Sequence, residues 1–183
     1  MRRLVLIAIL LTFAAIAQAS ESPSPYQGLD ARGVKALSDT DAADLLAGRG
    51  AGYALAAELN GYPGPLHVLE LADKLHLSTQ QRARTQAAFD VMQHEAKAIG
   101  AEIVAAEQSL DRAFVAATLD KDELTLRSEK LGQLYGRYRA AHLKAHIDMK
   151  TLLSPHQVAL YDNLRGYVSG SGTPASPSPH SHH

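Results

Sequence analysis

Apolar side chains recur every three or four positions through most of this chain, and no run of valine, isoleucine or threonine alternates with polar residues. That is the period of helices buried along one face, whereas strands repeat every two residues. From Thr79 to about Thr118 the stripe is Ala88, Met92, Ile99, Ile103, Ala106, Leu110, Ala113 and Ala117. From Lys121 to about Leu153, Leu124, Leu131, Tyr138, Ala145 and Leu152 fall seven apart, and Leu134, Tyr135, Ala141, His142 and Met149 fill the neighbouring row. The turn between these segments, Leu119-Asp120, is too short for anything but antiparallel neighbours. The first helix alone would run about 58 Å at ~1.5 Å per residue, with Gly100 as a candidate bend. Shorter helices are expected at Leu66 to His76 and Pro155 to Tyr167. The predicted fold is all-α: a long antiparallel helical hairpin with flanking helices, about four main helices, paired with a second copy that covers part of its apolar stripe.

Helix starts are written locally. Ser78 with Gln81 and Ser154 with Gln157 have capping-box spacing, and Pro155 occupies the first helical position, where its missing N–H costs nothing. Asp120 with Glu123 and Ser38 with Asp41 mark two further starts. Gly48-Arg49-Gly50-Ala51-Gly52 and Asn60-Gly61-Tyr62-Pro63-Gly64-Pro65 are breaks. The domain reading follows. Residues 1–19 carry Arg2 and Arg3, an apolar run from Leu4 to Ile16 and Ala17-Gln18-Ala19, the pattern of a cleaved secretory signal peptide. Residues 20–37 read as a flexible lead-in and 38–64 as a short helical segment with Gly/Pro breaks. Residues 65–167 read as the helical domain, and 168–183 as a disordered tail ending in His180, His182 and His183.

Composition narrows the function. The 183 residues contain no cysteine and no tryptophan, which excludes disulfides, thiolate metal sites and a cysteine nucleophile. The net charge is −1, and loss of Arg2 and Arg3 with residues 1–19 takes the 18 basic residues to 16 against 19 acids, a charge of −3. Such a balance argues against nucleic acid as a partner. The glycine-rich break lacks a preceding strand and a following Gly-Lys-Ser/Thr, His-Glu-x-x-His is absent, and the serines fall at caps. No catalytic residues are expected, and no organic cofactor.

The two segments Leu77-Ser78-Thr79-Gln80-Gln81 and Leu153-Ser154-Pro155-His156-Gln157 resemble the paired Leu-Thr-x-x-Gln motif of the Spy/CpxP family, with serine in place of threonine at both caps. The resemblance covers Leu66 to Tyr167. It implies an all-α protomer built around a long hairpin, a curved antiparallel dimer, and a periplasmic location. It also implies one of two functions: binding transition-metal ions for heavy-metal sensing or resistance, or holding unfolded clients without ATP. Either is compatible with a membrane-bound sensor partner. The motif residues Leu77, Ser78, Gln81, Leu153, Ser154 and Gln157 read as structural, through capping and packing under the turn.

Nine histidines discriminate between the two. His142 and His146 are four apart on one helix, so their imidazoles can converge on one ion, and Met149 follows on the same face. Two imidazoles with a thioether suit zinc, copper, nickel or cobalt. His67 on a flanking helix is a further candidate, and His180, His182 and His183 can chelate without a fold. His142 reads equally as a hydrogen-bonded interface residue and His146 as a solvated one. The chaperone alternative draws on Arg82, Arg84, Lys97, Arg112, Arg137, Arg139, Lys144 and Lys150, which interleave with apolar residues on the long helices.

Overall fold

A computed structural model describes residues 24–167. The expected signal peptide, the tail and its three histidines lie outside those residues. All regular structure among the described residues is helical. After one 3-10 turn at Leu29–Ala31 come α1 (Asp39–Ala47), α2 (Leu55–Glu58), α3 (Pro65–Glu70), α4 (Thr79–Val115), α5 (Lys121–Leu152) and α6 (Pro155–Arg165). No helix among the described residues is long and apolar enough to cross a membrane.

The caps set these boundaries. Ser38, Ser78 and Ser154 each accept a hydrogen bond from the backbone N–H three residues on, and Asp41, Gln81 and Gln157 each accept in return from the cap's own N–H. Each exchange satisfies two donors that a helix start leaves unpaired. Asp120 caps α5 through Glu123 N–H at 2.8 Å. The helix expected from Leu66 to His76 is shorter than its apolar pattern. It stops at Glu70, and turns carry the chain to His76, which adopts a left-handed φ of 51° before the Ser78 cap.

α4 and α5 pack side by side with opposed chain directions. Tyr135 O–H donates to Glu107 at 3.1 Å, Arg127 to Ser109 at 2.9 Å, and Gln81 to the Leu152 carbonyl at 3.2 Å. α1 crosses α4 at Gly100. A Cβ there would overlap the Leu45 carbonyl, so this glycine admits a neighbouring backbone.

Two apolar clusters result. One joins Leu45 of α1 to Ala96, Ile99, Ile103, Leu134 and Tyr138 of α4 and α5. Val34 and Leu37 are buried in it, and Lys35 pairs with Asp111 at 2.8 Å, so the later part of the expected flexible lead-in is anchored. Two large apolar side chains outweigh the polar flanks that made the segment read as a linker. The other cluster gathers Val68, Ala72, Leu75, Leu77, Met149, Leu153, Val158 and Tyr161 at the opposite end.

Candidate functional site

The Asn60–Pro65 break crosses α5 between these clusters. Lys150 donates to the Gly61 carbonyl at 2.7 Å, and His146 Nδ1 lies 2.7 Å from the Tyr62 carbonyl oxygen. A carbonyl only accepts, so Nδ1 of His146 carries a proton and Nε2 is the nitrogen left to face other groups. Gly64 leaves room beside that nitrogen. An added Cβ would stand 3.2 Å from Nε2 and 3.0 Å from Cε1.

Beneath the break is Glu58, 6% exposed at the end of α2. Its Oε1 accepts from Tyr161 O–H and, at 3.0 Å, from Tyr167 O–H. His67 Nδ1 lies 3.3 Å from the same oxygen, and His146 Nδ1 lies 3.5 Å from Oε2. Arg165 Nε is at 3.7 Å. Burial pushes the carboxyl upward, but the hydrogen bonds from His67, Tyr161 and Tyr167 and the field of His146 outweigh it and hold its pKa at about 2. A buried carboxylate is therefore shared among α2, α3, α5 and α6. Donation to it pushes the Tyr161 hydroxyl, also raised by burial, well above the usual phenol range.

His142 differs. It is 3% exposed, its ring is tilted against Tyr138 with centroids 5.0 Å apart, and its buried Nε2 has no hydrogen-bond partner. Gly50 brings the loop backbone over the ring, with an added Cβ 3.6 Å from Nδ1. Burial and the neighbouring His146 lower the pKa of His142 to about 4, so the ring is neutral across the physiological range. Buried polar atoms without partners are rare and costly.

His142, His146, His67 and Glu58 line one cavity of about 380 Å³, with Gly50, Phe89, Met92 and Tyr167 among its other walls. The structure thus brings together three of the sequence's candidate ligands. It does not bring Met149, which is 1% exposed in the apolar cluster with Val68 and Leu153. Met149 does follow His146 on the same stripe, but about 10 Å of helix separates it from His142. At that level α3 and α6 have already closed over α5. Among the described residues, no three His, Cys, Asp or Glu side chains converge into a group that could hold a metal ion.

Glu58, Tyr161 and Tyr167 were not singled out in the sequence, and Met92 was read there only as part of an apolar stripe. For Glu58 a signal existed: it is the one acidic or basic residue between Arg49 and Glu70, histidine aside, in the apolar run Leu55-Ala56-Ala57-Glu58-Leu59. Leu77 and Leu153 are buried, and the motif serines and glutamines form the caps. In addition Gln81 and Gln157 hydrogen-bond each other in both directions, at 2.9 and 3.1 Å, and Gln157 donates to the Leu75 carbonyl at 3.2 Å.

No protein-family model matches the chain, and neither does a curated protein or a solved structure.

Proposed function

We propose that this is an extracytoplasmic transition-metal-binding protein of the Spy/CpxP-like group, acting in heavy-metal sensing or resistance, with His142 and His146 as its ligands. One observation carries the reading. A buried, neutral imidazole, His142, whose Nε2 has no hydrogen-bond partner, lines the same cavity as a second imidazole, whose Nδ1–H is committed to a carbonyl. Fixing a ring through its far nitrogen is how proteins orient metal-ligating histidines. His67 and Glu58 act as positioning groups, since Nδ1 of His67 faces the carboxylate. Met149 is no longer a ligand in this reading. Because His142 stays neutral to about pH 4, proton competition at that ring begins well below the pH at which a free imidazole loses metal. A homodimer in the periplasm and a membrane-bound sensor partner belong to the same proposal.

The test is calorimetric titration with zinc, copper, nickel and cobalt, using the chain with His180, His182 and His183 replaced by serine. Stoichiometric binding at micromolar affinity or tighter, lost on joint His142→Ala and His146→Ala substitution, supports the reading. Undiminished binding by the double variant refutes it.

One observation favours the chaperone alternative. Phe114, Val115 and Leu126, beside the turn between α4 and α5, are exposed apolar side chains of the kind that would hold an unfolded client. Suppression of aggregation that is indifferent to chelators and abolished by Phe114→Ser with Leu126→Ser would favour it.

A further inference from the structure

Resting on the metal-binding reading, we propose that the cavity is a site for monovalent copper, in which the Met92 thioether is the third donor beside His142 and His146. Met92 is buried, yet it belongs to neither apolar cluster. It lines the same cavity as the two histidines. The register set by Tyr135 with Glu107 and Arg137 with Glu102 places Met92 on α4 level with His146 on α5. The thioether therefore comes from the opposite helix, and not from Met149 on the histidines' own helix.

The choice of ion follows from the donors. Glu58 is the carboxylate on the cavity, and its oxygens are already occupied by two tyrosine hydroxyls and faced by two imidazoles. A hard ion that demands several oxygens finds none free, and a tetrahedral zinc site would need more nitrogen or oxygen donors than converge here. Two imidazoles and a thioether form a soft set of low coordination number. Such a set satisfies a cuprous ion and leaves a divalent ion under-coordinated. The apolar walls at Leu55, Leu66 and Phe89 further disfavour a doubly charged ion.

The experiment uses the full chain with the three tail histidines changed to serine. Copper(I) is titrated anaerobically against a chromophoric cuprous chelator, and zinc(II) is titrated in parallel. The expected result is one copper(I) per chain, bound at least about 100-fold more tightly than zinc(II). Met92→Leu, close to isosteric, is expected to weaken copper(I) by about tenfold or more while leaving zinc(II) within about twofold, as the chemistry of a lost soft ligand requires. A sulfur scatterer in the copper X-ray absorption spectrum, missing from Met92→Leu, reads the ligand directly and does not depend on affinity. Copper(I) affinity unchanged in Met92→Leu, a spectrum without sulfur, or zinc(II) bound as tightly as copper(I) overturns the proposal. If zinc(II) binds and depends on His142 and His146, the metal-binding reading survives that failure. If neither ion responds to those histidines, both fall.

Discussion

Two polar clusters hold this helical chain together across long sequence separations, and they are finished to different degrees. Where the two motifs meet, Gln81 and Gln157 each accept from the capping serine's N–H and donate to the other's amide and to a carbonyl. Around Glu58 the carboxylate is satisfied, but one turn along α5 the Nε2 of His142 is buried with nothing to bond. A completed network stabilises a fold, whereas a buried atom without a partner costs stability. The first cluster is therefore architecture, and the second is the place to look for function.

Substitutions can break that contrast. The largest effect is expected at Glu58. Glu58→Ala strands Tyr161 and the imidazoles that face the carboxylate, and the cost should be about 3–5 kcal/mol in urea unfolding, the range for losing one partner of a buried charged network. Next is acid. His142 has a folded pKa of about 4, below the ordinary 6.5, so the unfolded chain takes up the proton first and stability falls as pH drops from 6.5 to 4. Glu58, at about 2 against an ordinary 4.5, loses its contribution in the following window, from pH 4.5 towards 2. Each window is worth at most about 3 kcal/mol. Metal-free unfolding measured across pH should show both, and His142→Leu should flatten the upper one alone. At the motif crossing, Gln81→Leu should cost about 1–3 kcal/mol, because it leaves amide partners unpaired. A double-mutant cycle with Gln157→Leu should show coupling of about 1 kcal/mol. The smallest effect has the opposite sign. Without metal, His142→Leu should raise stability by about 1 kcal/mol, because it removes an unsatisfied polar atom while abolishing binding. A clear loss of stability in that variant would erase the distinction between the clusters.

The sequence carried these two regions unequally, for a physical reason. Caps are contacts three residues long, so Ser78 with Gln81 and Ser154 with Gln157 could be read one residue at a time, as could the helical character of α4 and α5. The hydrogen bonds between Gln81 and Gln157 span 76 positions and depend on how α4, α5 and α6 meet. Helical spacing paired His142 with His146, and the same spacing misplaced Met149, because periodicity reports a face and not the level at which another helix covers it. Gly100 was legible as unusual, but its cause, the Leu45 carbonyl, belongs to a helix more than fifty residues earlier. Val34 and Leu37 were hidden by polar neighbours. Glu58 was an isolated charge in an apolar run, and its five partners come from three different helices and the Tyr167 that follows α6.

The most direct measurement follows the ring nitrogens themselves. Long-range ¹H–¹⁵N spectra would be recorded on the chain with serine at positions 180, 182 and 183, before and after one equivalent of a diamagnetic ion, zinc(II) or copper(I). The expected result is a large shift of one ring nitrogen in each of His142 and His146, with the exposed His76, His94 and His156 unmoved. Shifts confined to those three exposed rings, with His142 and His146 unchanged, would contradict a metal site in the cavity.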